Sequence, residues 1–128
     1  MDELTAKAAA WLQSVVRRLP NTIRALYVEY GDAYTPDMDH EVYFNAFGFE
    51  ALAGGRFDPS NADHVGELGE FTWESPDACS FRADEHPGLD WMTVLRSAAR
   101  SPEARGLVAG RGLQFVIGEH DGEVCVIR

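Results

Sequence analysis

The chain has 128 residues, of which 45% are hydrophobic and 25% are charged, and its formal net charge at pH 7 is −10. This length suits one domain with its own core, and the composition is that of an ordinary globular protein. The negative charge argues against nucleic-acid binding, because contacts to phosphate need clustered lysine and arginine. The first residues lack the basic start and apolar run of a signal peptide, and no apolar stretch approaches membrane-spanning length. We therefore expect a single cytoplasmic domain over residues 1–128 with no membrane segment.

The acidic side chains are concentrated in the middle of the chain. Residues 31–90 contain two basic side chains, Arg56 and Arg82, against fourteen acidic ones, which is a balance of −12. The flanking segments 1–30 and 91–128 each have a balance of +1. Such a block would create a sustained negative field that attracts a cationic partner.

The N-terminal segment is predicted to be a helix. Its apolar residues recur at spacings of three and four between Leu4 and Leu19, which gives one apolar stripe. Asp2 can cap the start of this helix, and Pro20 can end it. The stripe must lie on another layer, and the strand-like segments that follow supply one.

Two segments rich in aromatic and β-branched residues, 22–31 and 40–50, predict a pair of strands. The residues between them include Gly31, Pro36 and Asp37, which favour an antiparallel hairpin with a loose loop. Both segments carry apolar side chains on both faces, as strands do when they are central or covered on both sides. A second layer, or a partner, is therefore expected on the face that the first helix leaves open.

The next part of the chain is punctuated by turn-forming residues. Residues 51–70 are rich in glycine and predict a long loop, followed by two short strands, "EFTW" and "CSFR", joined across "ESPDA". A helical pattern returns from His86, with Pro87 suited to its first turn. A further helix is predicted to begin at Ser101, a good N-cap, and Pro102.

The C-terminal segment "LQFVIGEHDGEVCVIR" predicts a β-hairpin. Asp121 and Gly122 lie between two β-rich runs, and Asp-Gly is the usual pair of a two-residue type I′ turn. Pairing around that turn would set Ile117 opposite Val126. Together these elements predict an α+β fold: an N-terminal helix and a later helical pair on a mainly antiparallel sheet of about four to six strands, closed by a C-terminal β-hairpin.

The stretch "YGDAYTPDMDHEVYF" (30–44) has alternating acids, like the first ligands of a calcium-binding loop. Calcium binding is nevertheless not expected, because Val42 stands where such a loop needs glycine and Gly48 where it needs a bidentate glutamate. The four histidines are scattered through the chain, so no transition-metal site is predicted. The one cluster that the sequence leaves open consists of His40, His64 and Asp63.

The sequence contains no catalytic signature and no phosphate-binding motif, so no catalytic residue and no cofactor are predicted. Carboxylates on neighbouring strands, such as Glu29 and Glu41, could form an acid–base pair, but the number of acids makes such coincidences common. Cys79 and Cys125 are in no C-x-x-C motif, and we expect them to be buried, reduced thiols.

A leading helix "WLQSVVRRLP", the strand segments "ALYVEYG" and "VYFNAFGFE" and the closing "FVIGEHDGEVCVIR" make up a small acidic α+β layout. This layout resembles bacterial immunity-type proteins, the small proteins that neutralise secreted polymorphic toxins. The resemblance implies a non-enzymatic inhibitor whose acidic surface docks on a basic toxin domain, often a nuclease. It assigns no individual residue, because no motif matches position by position.

We therefore expect a protein-binding module that inhibits or regulates a basic partner through an acidic surface. The candidate residues are four acids, which supply charge, and one aromatic anchor: Asp32, Asp37, Asp39, Glu41 and Tyr34. The alternative is a small hydrolase or ligand-binding domain with a pocket between the sheet and loop 51–70. Its candidate residues are Glu29, Glu41 and His64. A homodimer joined through the open sheet face is compatible with both functions.

Overall fold

The structure is a computed structural model that describes residues 2–34, 36, 40–50, 71–119 and 124–127, with the backbone alone at Tyr34 and residues 124–126. Its helices are α1 (Glu3–Arg18), α2 (Trp91–Ala99) and α3 (Pro102–Gly110). Its strands are β1 (Ala25–Tyr34), β2 (His40–Phe49), β3 (Trp73–Glu74), β4 (Cys79–Arg82), β5 (Gln114–Glu119) and β6 (Val124–Val126). No helix in this part of the chain is long and apolar enough to cross a membrane.

The sheet is built around β1. Its strand order is β3-β2-β1-β5-β6, and β4 pairs with β2 on the same edge as β3. Neighbouring strands are antiparallel except β1 and β5, which are parallel. A parallel pair needs a long crossover, and the chain reaches β5 through α2 and α3. The predicted α+β fold, with an N-terminal helix, a later helical pair and a mainly antiparallel sheet, is confirmed.

Side-chain caps set the starts of α1 and α3 as predicted. The Thr5 N–H donates a hydrogen bond to Asp2 Oδ1 at 2.7 Å, and the Ala104 N–H donates to Ser101 Oγ at 3.4 Å. The bond from Thr5 lowers the pKa of Asp2. The stabilisation from this cap is therefore present above the ordinary carboxyl pKa and is lost as the pH falls through the lowered value.

The start of α2 differs from the prediction. The helix begins at Trp91 and not near Pro87, because the Asp90 carboxylate accepts a backbone N–H of the first turn at 3.1 Å and caps the helix there. The residues before this cap form a turn in which Gly88 has φ +77°, a conformation that favours glycine. Leu89 therefore lies outside the helix and is 37% exposed.

The two short strands β3 and β4 lie end to end along β2. Each pairs with β2, so within the described residues they do not form a hairpin with each other. Between them, the Ser75 N–H donates to the Ala46 carbonyl at 2.9 Å, and the Ser75 hydroxyl accepts the Ala46 N–H at 3.1 Å. A serine side chain thus satisfies the backbone of β2 where neither short strand reaches it.

The pairing of β5 with β6 is one residue away from the predicted register. Ile117 lies opposite Cys125, whereas a two-residue turn at residues 121–122 would shift its partner by one. The ladder continues to Ile127, whose N–H donates to the Phe115 carbonyl at 2.9 Å. The predicted pairing of Ile117 with Val126 is therefore wrong by one residue. The Asp-Gly pair itself lies outside the described residues.

The main core lies between the three helices and one face of the sheet. Apolar side chains of the helices pack on alternate residues of β1, β2 and β5, because alternate residues of a strand share a face. Among the largest fully buried side chains of this core are Leu12, Val15, Leu26, Phe44, Leu95 and Ile117.

Cys79 lies in this core as a buried, free thiol. Burial raises the pKa of the Cys79 thiol to about 11, so the thiol stays protonated and unreactive near neutral pH. Cys125 lies on β6, where the backbone alone is described, so the expectation of a buried thiol there stays a prediction.

The opposite face of the sheet is also buried at β1 and β5. Tyr27 is 2% exposed and Val116 is 0% exposed, although neither belongs to the core under the helices. The Tyr27 ring stacks on Phe47 with ring centroids 6.0 Å apart, and the Phe71 ring packs on Phe47 at 4.9 Å. Both faces of β1 are therefore buried, as is usual for a central strand.

Gly31 of β1 lies against the ring of Tyr43, its partner on β2. A Cβ at Gly31 would collide with that ring. We expect Gly31→Ala to lower the free energy of unfolding by about 1–3 kcal/mol, the usual cost of overpacking. Urea denaturation followed by tryptophan fluorescence measures this change.

The matched control is Gly106→Ala on α3, where nothing lies within 4 Å of the added Cβ. Because glycine disfavours a helix, this control should raise the free energy of unfolding by about 0.5–1 kcal/mol. In a Tyr43→Ala background, which lacks the ring, adding Gly31→Ala should hardly change the free energy of unfolding. If Gly31→Ala is as stable as the wild type, the Tyr43 ring moves aside without cost and the prediction is wrong.

Candidate functional site

Exposed carboxylates gather at one end of the sheet, where β1 and β5 end and β2 and α2 begin. We call this region the acidic end, and its members are Asp32, Glu41, Asp84, Glu85, Asp90 and Glu119. They come from four separate segments of the chain, so the fold assembles a surface that no local run of sequence contains.

The strand register explains how these residues meet. Tyr30 of β1 lies opposite Glu119 of β5, and Asp32 follows Tyr30 on the same face of β1. Glu41 at the start of β2 lies opposite Arg82 of β4. Directly after Arg82 the chain enters a short 3-10 helix that carries two further acids.

His40 ties two of these acids together. Its Nε2 lies 3.1 Å from Asp32 Oδ2, and its backbone N–H donates to Asp84 Oδ1 at 3.1 Å. Asp84 Oδ2 also lies 3.7 Å from Arg82 Nη2. Exposed pairs of this kind stabilise a fold by only about 0–1 kcal/mol, so their main effect is to position the two carboxylates.

The carboxylates of the acidic end act on two nearby phenols. Burial raises the pKa of Tyr30, and negative charge raises it further. That charge comes, in order of effect, from Asp32, Glu119 and Asp90. Burial, followed by nearby carboxylates, also raises the pKa of Tyr43. Both hydroxyls therefore stay protonated at neutral pH, and the folded state loses stability as the pH rises through their raised values.

Positive charge gathers at the opposite end of the molecule, where α1 and α2 end and β1 and β5 begin. We call this region the arginine end, and its members are Arg17, Arg18, Arg24, Arg96, Arg100, Arg105 and Arg111. Acids at helix N-termini and bases at helix C-termini also complement the helix dipoles. The arginine end also holds carboxylates, among them Asp77, which lies 3.0 Å from Arg18 Nη2, and Glu50, which follows β2. The two ends therefore differ in their balance of charge along the strand direction.

The structure describes two of the five predicted binding residues completely, Asp32 and Glu41. Both lie at the acidic end, but on opposite faces of the strand pair. Asp32 lies opposite Val42 while Glu41 lies opposite Ala33, and adjacent positions on a strand face opposite ways. A partner that contacts both must therefore approach the end of the sheet and not one of its faces.

The other three predicted residues are less fully placed. Tyr34 pairs with His40 through its backbone at the tip of the hairpin, and its side chain lies outside the described part of the chain. Asp37 and Asp39 lie outside it entirely. Their predicted contribution to the acidic surface stays a prediction.

Four members of the acidic end were not predicted as site residues: Asp84, Glu85, Asp90 and Glu119. The position of Asp90 before a helical pattern is a recognisable cap signal, which could have marked it as a helix start. Nothing local marks Glu119, because it reaches the acidic end through a parallel strand pairing between distant segments.

A groove of about 1060 Å³ borders the acidic end, between the start of α1, β4 and the turn before α2. Its apolar lining includes Leu4, Phe81 and Leu89. Its charged lining consists of four carboxylates and two bases: Asp2, Glu3, Glu41, Glu85, Lys7 and Arg82. The groove therefore combines an apolar surface with a negative balance of charge.

The structure does not bring Glu29 and Glu41 together as a carboxylate pair. Glu29 lies opposite Asn45 and Glu41 opposite Ala33, so four residues, or about 13 Å, separate them along the strands. Glu29 is 8% exposed, unlike the acids of the acidic end.

The other elements of the enzymatic alternative fall on residues 51–70. This loop, with His64 and Asp63, lies outside the described residues, so the predicted pocket and the histidine cluster stay predictions. In the part of the chain that the structure describes, no group of three or more His, Cys, Asp or Glu side chains could hold a metal ion.

Comparison of the chain with models of protein families, with curated proteins and with solved structures found no match.

Proposed function

We propose that this chain is a non-enzymatic protein-binding module, an immunity-like inhibitor or regulator of a basic partner protein, and that it binds through the acidic end. The observation that carries the proposal is the difference in charge balance between the two ends of the sheet, with exposed carboxylates gathered at one end and arginines at the other. Charge of one sign at a single end orients an approaching cationic partner and speeds association. Dispersed acidic residues would favour solubility without that orientation.

The state of the acidic side chains supports the proposal. Glu41, Glu85 and Glu119 are exposed and make no ion pair within the described residues, so their charge can act on a partner. The strands and the contacts of His40 hold the surrounding backbone in place, which lowers the entropy lost on binding. The expected cytoplasmic location is part of the same proposal.

Affinity capture with charge-matched variants tests this function. The acidic-end variant carries three substitutions: Glu41→Gln, Glu85→Gln and Glu119→Gln. The control variant loses the same charge elsewhere on the surface: Glu50→Gln, Glu74→Gln and Glu103→Gln. Wild type and both variants are immobilised, exposed to lysate of the native host, and the retained proteins are identified by mass spectrometry.

We expect the wild type and the control variant to retain the same basic protein, and the acidic-end variant to retain roughly tenfold less of it. Equal retention by all three chains would contradict the proposal, since net charge alone would then explain binding. Retention of no basic protein by the wild type would contradict it as well.

A further inference from the structure

We propose that the groove beside the acidic end anchors a short basic segment of the partner protein, with one apolar side chain of that segment seated against Leu89. This inference rests on the proposed function, because it states how the same end of the molecule holds its partner. The groove, with about 1060 Å³ of space, is large enough for several side chains of such a segment.

The apolar part of the groove has an exposed centre. Leu89 is 37% exposed. Among the described residues, Leu89 and Phe71 are the two large hydrophobic side chains that are exposed. Leu89 is displayed because the turn at Gly88 and the cap at Asp90 keep it out of α2. The Phe81 ring also lines the groove. An apolar side chain of a partner would remove water from this surface, which is the main source of affinity at an interface.

The charges of the groove select a cationic segment. The two bases of the groove lining are already engaged within the chain. Lys7 Nζ donates to the Ser80 carbonyl at 2.6 Å and lies 4.7 Å from the centroid of the Phe81 ring, and Arg82 contacts Asp84. The carboxylates of Glu3, Glu41 and Glu85 have no ion pair within the described residues. The charge left for a partner is therefore negative, and its complement is lysine or arginine.

The segment is held by side chains and not by strand addition. Lys7 already donates to the carbonyl of Ser80 on β4, so an incoming strand would have to share that acceptor and displace part of the Lys7 side chain. An apolar anchor surrounded by charged groups is the usual arrangement of an interface hot spot, in which the central contact sets the dissociation rate.

Two fluorescein-labelled peptides of equal length and charge test the inference, one alternating lysine with leucine and the other alternating lysine with serine. Binding to the full chain is measured by fluorescence anisotropy at low ionic strength. The groove variant is Leu89→Ser, and its matched control is Phe71→Ser, which removes a similarly exposed apolar side chain elsewhere.

We expect Leu89→Ser to weaken binding of the lysine–leucine peptide about fivefold, because part of one leucine contact is lost. Binding of the lysine–serine peptide should change less than twofold, and Phe71→Ser should change neither. Equal affinities of the wild type for the two peptides, or equal effects of the two variants, would overturn the inference. Spermine can also be tested as a competitor of the lysine–leucine peptide. If spermine displaces the peptide equally well from the wild type and from Leu89→Ser, the site binds a small cation and the inference is overturned.

The peptide assay separates failure of the groove from failure of the proposed function. If the acidic-end variant loses both peptides while Leu89→Ser loses neither, the acidic end binds cations and the groove is not the anchor. If the acidic-end variant binds both peptides as the wild type does, the acidic end is not a binding surface and both proposals fail.

Discussion

Replacing Arg111 by alanine should lower the free energy of unfolding by about 2–4 kcal/mol, because three charge-assisted hydrogen bonds are lost, two of them partly buried. Arg111 Nη1 donates to the carbonyls of Val16 and Leu19 at 2.8 and 2.7 Å, and Nη2 donates to the carbonyl of Pro20 at 2.7 Å. Val16 and Pro20 also accept the backbone N–H groups of Leu19 and Ile23 at 3.3 and 3.2 Å. The guanidinium of Arg111, the C-cap residue of α3, therefore adds a donor to these two carbonyls and engages that of Leu19, which fixes the end of α1 to the end of α3. Urea denaturation, with the slope of the transition unchanged, measures the loss.

Two further variants separate the hydrogen bonds from the charge. Arg105→Ala removes an exposed arginine from α3, the helix that Arg111 ends, and should change the free energy of unfolding by less than about 0.5 kcal/mol. Arg111→Lys keeps the charge but not the planar fork, and it should recover less than half of the loss. Equal stabilities of Arg111→Ala and Arg105→Ala would refute the capping role of Arg111.

The capping role of Arg111 also concerns the candidate site. The start of α1 supplies one wall of the groove, and its end is fixed to α3 by Arg111. A variant that loosens the end of α1 should therefore weaken partner binding slightly without changing any residue of the groove or the acidic end.

Local patterns predicted the elements whose stability is local. The apolar stripe and the cap at Asp2 predicted α1, and two segments rich in aromatic and β-branched residues, with turn-forming residues between them, predicted the β1–β2 hairpin. These features depend on neighbours within a few residues, so one sequence contains them. The predicted start of α2 was wrong. Pro87 suits a first helical turn, but the carboxylate of Asp90 caps the helix and sets its start at Trp91.

Pairing between distant segments could not be predicted. No feature of residues 114–119 says that this segment runs parallel to β1, because that choice depends on how α2 and α3 cross the sheet. The Asp-Gly pair favoured a two-residue turn, but the ladder between Ile117 and Cys125 sets a different register. The preference of two turn residues therefore did not predict the register of the two strands.

The sequence predicted part of the candidate site. The acidic block contained Asp32 and Glu41, and both lie at the acidic end. The contribution of Glu119 was hidden, because it belongs to a segment with a positive balance of charge and reaches the site through β5. Charge along a sequence therefore located the site approximately, and the strand order determined its members.

The association rate constant for the captured basic partner should fall about tenfold when Glu41, Glu85 and Glu119 are neutralised, because steering depends on the field at the point of encounter. The control variant at Glu50, Glu74 and Glu103 should associate less than about twofold more slowly, although its net charge is the same. The dissociation rate constants should differ much less than the association rate constants, since charges at an interface rim act mainly on encounter.

Salt dependence identifies the cause of the difference. The screening length falls from about 30 Å at 0.01 M ionic strength to about 3 Å at 1 M, so steering by exposed charges disappears at high salt. The wild type and the acidic-end variant should therefore converge as salt is added. A binding defect caused by misfolding would persist at every salt concentration.

The most direct test of the acidic end is stopped-flow measurement of this association rate constant for the wild type and both variants across that range of ionic strength. We expect a slower acidic-end variant at low salt, a control variant close to the wild type, and convergence of all three at high salt. Equal rate constants for the two variants at low salt would contradict it, because the position of the carboxylates would then be irrelevant to binding.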